Sequence, residues 1–246
     1  MSSPELRICG LSAVRARFER DATSIQRLFF DYATSRKIGI MTKALAAARR
    51  IYRCVEPAEL EKIAGTVHHG GIVAVVPAPA LAPVPRDAPP RWAKAGEAVL
   101  VLDGVGNAHN LGALARTAAF FGVPRLVVRE DPAAARPNDA AYRVAEGGLE
   151  WLTVHGVRDL PAFLRDLAAA GYAVIGTSPG GAQRSRALQR HPQSPVALVL
   201  GNEERGLSED TAAACTAMES IPGSGRIESL NVSAAGAVLL ARLLLK

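Results

Sequence analysis

Between residues 98 and 201, short β-branched apolar runs alternate with helix-forming stretches, and this alternation restricts the fold more than any other feature of the chain. The runs are AVLVLD (98–103), RLVVRE (125–130), LTVHGV (152–157), YAVIGT (172–177) and VALVLG (196–201). Continuous apolar runs of this length suit strands buried on both faces of a parallel sheet. LGALARTAAFFG and LPAFLRDLAAAG lie between them, each closed by a glycine as helix C-termini often are. The chain ends in VSAAGAVLLARLLLK, a helix with apolar coverage wide enough to need burial against another surface, such as a second subunit. A doubly wound α/β domain over residues 93–246 is the expectation.

The segment 77–92, PAPALAPVPRDAPPRW, carries six prolines and reads as an extended, semi-rigid linker. Residues 1–76 then form a separate folding unit. Within it β-prone pieces (IQRLFF, IYRCV, GIVAVV) alternate with helix-prone ones (AVRARFER, MTKALAAARR, PAELEKIA), which points to a small α/β sandwich.

Charge divides the chain in the same place. Residues 1–92 hold 14 Lys/Arg against 8 Asp/Glu, whereas residues 93–246 hold 15 of each. The whole net charge of +6 therefore belongs to the first unit, and a localised basic surface attracts polyanions such as nucleic acid. Cys9, Cys54 and Cys215 are too few and too scattered for a disulfide scaffold, and no histidine lies at zinc-ligand spacing from them, so no metal is expected. No apolar run approaches the roughly 20 residues of a membrane span, and the N-terminus lacks a signal-peptide core. A cytoplasmic location without a membrane partner is the expectation.

Ligands of open α/β sheets bind beyond the carboxyl ends of the strands, and three polar or glycine-rich stretches fall there. They are GVGNAHNLGALART (104–117), GNEERGLSED (201–210) and IPGSGRIESLNVSAAG (221–236). Each has a plain structural explanation. Asn110 can cap the helix after it, Ser208 followed by Glu209 and Asp210 suits a helix start, and Asn231 or Ser233 can cap the last helix. The first stretch also lacks the G-x-G-x-x-G spacing of a dinucleotide fingerprint, which argues against a nicotinamide-binding protein.

In combination and in order, N-L-G-A-x-x-R, L-G-N-E-x-x-G and S-L-N-V-S-x-A resemble the three signature motifs of the SpoU (TrmH) family of RNA 2′-O-methyltransferases, part of the SPOUT superfamily. The first unit, opening with CGLSAV and closing with HHGGIVAVV, resembles that family's substrate-binding domain, which is similar to RNA-binding ribosomal proteins. AEGGLEWL (145–152) is similar to the YfiF-like subgroup.

The resemblance implies a parallel-sheet domain tied in a deep trefoil knot, a homodimer, an RNA substrate (tRNA or rRNA) and S-adenosylmethionine as cofactor. It places cofactor contacts at Gly201, Ile221 and Leu230, with Thr177 beside them, and it explains Gly201 by close approach of the adenosine. It places the chemistry at Arg116, oriented by Asn110 and Glu203, with Ser229 and Asn231 positioning the ribose and the arginine. Arginine holds its proton strongly, so Arg116 as a base and Arg116 as an electrostatic stabiliser are both open at this point. Two departures stand out: Glu204 occupies a position where many relatives carry glycine, and a GSGRIE stretch with Arg226 separates Pro222 from Ser229. A base-directed methyltransferase of the same superfamily and a non-catalytic RNA-binding or ribosome-assembly factor are the alternatives.

Overall fold

A computed structural model describes residues 4–178 and 194–245. The first unit runs β1 (Glu5–Cys9), α1 (Leu11–Asp21), β2 (Arg27–Phe30), α2 (Tyr32–Ser35), α3 (Gly39–Ala47), β3 (Ile51–Cys54), α4 (Pro57–Ala64) and β4 (Ile72–Pro77). Its strands lie in the order β1-β4-β2-β3, with β2 and β3 parallel and the other pairs antiparallel. No unbroken apolar run marks β1 in the sequence. Arg7 interrupts its apolar residues, yet Leu6 and Ile8 alternate into the core as a half-buried strand requires.

The second unit runs β5 (Ala82–Pro83), α5 (Ala88–Lys94), β6 (Val99–Asp103), α6 (Ala108–Phe120), β7 (Arg125–Arg129), α7 (Asp139–Ala145), β8 (Thr153–Val157), α8 (Leu160–Ala169), β9 (Ala173–Thr177), β10 (Val196–Gly201), α9 (Glu209–Ala214), β11 (Ala217–Glu219) and α10 (Val232–Leu244). Its seven strands are ordered β11-β9-β10-β6-β7-β8-β5, and every pair is parallel. The five expected strands form the centre of this sheet. Alternate residues serve opposite faces: Leu100, Leu102, Leu198 and Leu200 pack in one buried cluster, Val99, Val101, Ala197 and Val199 in the other. Helices cover both faces, so the strands lack the polar alternation of a half-exposed sheet.

Residues 77–92 are more than an extended linker. Pro83 and Ala82 pair with β8, and α5 buries Ala88 and Trp92 against the sheet. Trp92 lies 5.1 Å from the His155 ring and carries the Arg125 guanidinium at 5.2 Å. Proline suits a two-residue edge strand and the first turn of a helix, so the composition that suggests a free connector also fits this packed one.

The two units are also not separately packed. One buried cluster runs from Leu6, Ile8 and Val14 through Ala141 and Leu149 to Leu111 and Leu126. The Arg7 backbone N–H donates to Asp139 (3.0 Å), and Arg17 Nε lies 3.0 Å from the Glu150 carboxylate. Burial raises the Glu150 carboxyl above its ordinary range, while Arg17 opposes the shift. Such a pair adds little net stability over an apolar contact, but removing one partner strands a buried charge and costs about 3–5 kcal/mol. Among the described residues no helix is long and apolar enough to cross a membrane.

His155 supplies a pH-dependent term. Its Nδ1 faces the Pro83 carbonyl at 3.2 Å, while Nε2 is buried without a hydrogen-bond partner. Burial, aided by Arg125 and opposed by the bond to Pro83, holds its pKa below the ordinary 6.5. The unfolded chain therefore takes up the proton first, so this contribution is present above about pH 6.5 and lost as pH falls. Thermal melts of His155→Gln are expected to show a shallower loss of stability from pH 7 to 5 than the parent; an unchanged slope would place the titration elsewhere.

Candidate active site

The parallel register sets Asp103, the last residue of β6, beside Gly201, the last of β10. Two of the three polar stretches thus leave the sheet side by side, and hydrogen bonds fasten them together. Asn202 Nδ2 donates to the Gly104 carbonyl (2.8 Å), and its Oδ1 accepts from the Glu204 and Arg205 backbone N–H groups (3.0 and 3.1 Å). Asn202 also exchanges backbone hydrogen bonds with Gly206, closing a tight loop. That loop folds back over Gly201, where an added Cβ would meet the backbone of Gly206 and Leu207. The chain's own loop is therefore enough to require glycine at 201.

Asp103 is buried and fully engaged. Its Oδ1 accepts from Arg129 (3.0 Å), and its Oδ2 accepts from the Ser208 backbone N–H and hydroxyl (both 2.9 Å). Ser208 does precede α9, but its side chain makes no cap hydrogen bond; it ties the helix start to β6 instead. Neither Asn202 nor Asp103 was singled out from the sequence. The available signal was an amide or acid at the last turn of a buried apolar strand, where a polar group must be bonded.

The third stretch completes the constellation. Asn231 caps α10 by accepting from the Ser233 N–H (2.9 Å), as a plain capping residue would. Its Nδ2 also donates to Asn110 Oδ1 (3.1 Å), and Asn110 Nδ2 donates to Glu203 Oε1 (2.7 Å). A directed chain of donors, Asn231 to Asn110 to Glu203, thus spans all three stretches. Asn110 is free for this because Asn107 caps α6, accepting from the His109 N–H at 2.8 Å.

Arg116 stands apart from that chain. Six residues along a helix place it about 120° round and about 9 Å along the axis from Asn110. Its guanidinium pairs with Glu146 (2.9 Å), and among the described residues it makes no hydrogen bond to Asn110 or Glu203. Glu146 is a third residue to which the motifs assign no role.

Beside the Asn110–Glu203–Asn231 chain opens a cavity of about 480 Å³. Thr177, Gly201, Ile221, Leu230, Ser229, Asn231 and Glu203 all line it. The size suits a small-molecule site, which typically spans roughly 300–1,000 Å³. Leu200, Ile221 and Leu230 offer apolar surface for a flat heterocycle, and the 201–206 loop and Thr177–Ser178 offer backbone groups. The charged lining is Glu203, Glu204, Glu219 and Glu228 against Arg205, an excess of acid that favours a cationic ligand. Buried Glu219 is partly offset by Arg242 at 3.8 Å.

Residues 97–241 match the model of the SpoU rRNA methylase family, and residues 7–82 match that of the RNA 2′-O ribose methyltransferase substrate-binding domain. The chain belongs to the SpoU family. Among its SpoU relatives, the 23S rRNA (guanosine-2′-O-)-methyltransferase RlmB of Ralstonia nicotianae is 36% identical, over 98% of this chain and 95% of that protein. YfiF of Escherichia coli O157:H7, named an uncharacterized tRNA/rRNA methyltransferase, is 33% identical, over 96% of this chain and 67% of that one. The SpoU methyltransferase AviRb of Streptomyces viridochromogenes, solved with AdoMet, shares the fold at a TM-score of 0.72 and 23% identity, covering 98% of this chain and 89% of that one. An rRNA methyltransferase from Sinorhizobium meliloti aligns with a TM-score of 0.77 at 22% identity, covering 99% and 89%.

If Gly201 serves its own loop, Gly201→Ala is expected to lower the melting temperature even without ligand, by the equivalent of about 1–3 kcal/mol. Calorimetric melting of the ligand-free chain checks this. An unchanged melt with weakened ligand binding would return Gly201 to the role of a ligand contact.

Proposed function

We propose that this SpoU protein transfers a methyl group from S-adenosylmethionine to a ribose 2′-hydroxyl of RNA. The observation that carries the reading is the hydrogen-bonded chain Asn231–Asn110–Glu203, which joins all three family motifs and whose two end residues line an acid-lined cavity. The cofactor supplies an electrophilic methyl on a sulfonium, and the acidic lining suits that cation. Ile221 and Leu230 would hold its adenine, with Thr177 and the Gly201 loop supplying backbone contacts.

The chain's own residues orient the acceptor. The donors end on Glu203, a carboxylate with lone pairs left to accept from the ribose hydroxyl or from a guanidinium. Ser229, at the mouth of the same cavity, can hold the ribose. Arg116 enters as a cation, able to grip an RNA phosphate and to stabilise the charge that grows on the attacking oxygen. The electrostatic role is supported by its ion pair with Glu146, a contact between opposite charges.

A homodimer belongs to this reading, supported by exposed Phe120, Val238 and Leu245 on the packed α6–α10 pair. So does the trefoil, supported by β10 lying between β6 and β9 while the loop that follows β10 and residues 228–231 line one cavity. The basic first unit is the RNA-gripping part, with Arg36, Lys37 and Lys43 exposed on one stretch of α2 and α3 and the turn between them.

Two measurements test the reading. Ribose-methylation maps of total RNA from a deletion strain should lose a site that the wild type restores. Arg116→Ala should fail to restore it, with turnover in vitro reduced by about 10²–10³-fold. Methyl groups found only on bases would overturn the ribose reading, and tight RNA binding with no transfer would favour an assembly factor. Substituting Arg36, Lys37 and Lys43 together by Ala should lower the salt slope of RNA binding by up to about 2. An unchanged slope would move the RNA contact away from this surface.

A further inference from the structure

Glu146 is one of two non-glycine residues among those described that adopt positive φ, at 46°, in the left-handed region. That conformation strains an ordinary side chain, and glycine would satisfy the backbone there without strain. The next two residues are glycines, and both are wedged. A Cβ on Gly147 would meet Ala16, Ser12 and Ala13 of α1, and one on Gly148 would meet Arg116 Cα and the Ala115 carbonyl of α6. The turn is therefore clamped between the RNA-gripping unit and the helix that carries Arg116.

The strained residue aims its carboxylate at one target, Arg116 Nη1, 2.9 Å away. Both side chains are more than half exposed, at 57% and 55%. An exposed pair of this kind contributes little to stability, so it does not offset the backbone strain. A stability argument leaves the glutamate unexplained; a site argument does not.

We propose that Glu146 is the positioning residue of Arg116: its carboxylate fixes the guanidinium at the orientation from which it meets the RNA phosphate and the ribose oxygen. The clamp extends the consequence. Because Gly147 sits on α1, the seating of the first unit sets where that carboxylate stands. The inference rests on the reading that Arg116 takes part in methyl transfer, and the test separates the two.

Glu146→Gly removes the carboxylate and relieves the positive φ, and Glu146→Gln keeps the size without the charge. With purified chain and its RNA, both are expected to lower kcat by up to about 100-fold, the scale of a misplaced reacting group. KM for RNA should stay within about twofold, since a group acting only on orientation leaves binding largely intact. AdoMet affinity, measured by calorimetry, should be unchanged in both, and the melting temperature of Glu146→Gly should be equal or higher. Glu146→Asp, which keeps the charge, should recover part of the lost kcat. In an Arg116→Ala background Glu146→Gln should add no further loss, because residues acting as one unit are not additive. Full kcat in Glu146→Gly, with Arg116→Ala inactive, would overturn the positioning role alone. Full kcat in Arg116→Ala would overturn the reading on which it rests.

Discussion

The site depends on the parallel pairing of β6 with β10. That ladder fixes Asp103 against Gly201, and everything polar nearby is then joined by short links. Asp103 anchors Ser208 and so the start of α9, while Asn202 reaches the Gly104 carbonyl. A slip of one residue would turn Leu102 and Leu200 to the opposite face and separate those links. The apolar core thus sets the precision of the polar site, since strand register is held by which side chains the helices cover.

The amides and acids then divide the work by burial. Asp103 is buried, with both oxygens bonded to protein donors, which keeps it out of reach of a ligand. Glu203 is exposed on the cavity rim and spends one oxygen on Asn110. Asn231 does two jobs at once, capping the start of α10 with its side-chain oxygen and donating to Asn110 with its amide nitrogen. A capping residue is held still by the helix it caps, and that rigidity makes it a good second support for a reacting group.

The second domain was legible in the sequence because its strands are buried on both faces, and runs such as VALVLG have no competing pattern. The three motif stretches were legible as sites for the same reason: they are where those runs stop. Short or interrupted elements were not. In β1 a charged Arg7 breaks the run, and in 77–92 the prolines that suggest a loose linker instead shape an edge strand and a helix start around Trp92. Partners across long separations were also hidden. Spacing alone shows that Arg116 and Asn110 share a helix, but only the fold shows that Glu146, from a turn after α7, is the acid that meets the arginine. The two-glycine turn is visible in the sequence as a motif, but its packing between α1 on one side and α6 on the other is visible only in the fold.

The continuous packing between the two units has a geometric meaning for the substrate. The first unit is seated on α7 and on the turn after it by Arg7, Arg17 and a shared apolar cluster. A module on a slack tether would sample many separations between the RNA it grips and the cavity below. On the proposed function, one that is seated turns that separation into a fixed length from the point of grip to the cavity. Selection of the nucleotide can then come from the shape of the folded RNA between those two points, with the sequence at the methylated position left almost unread.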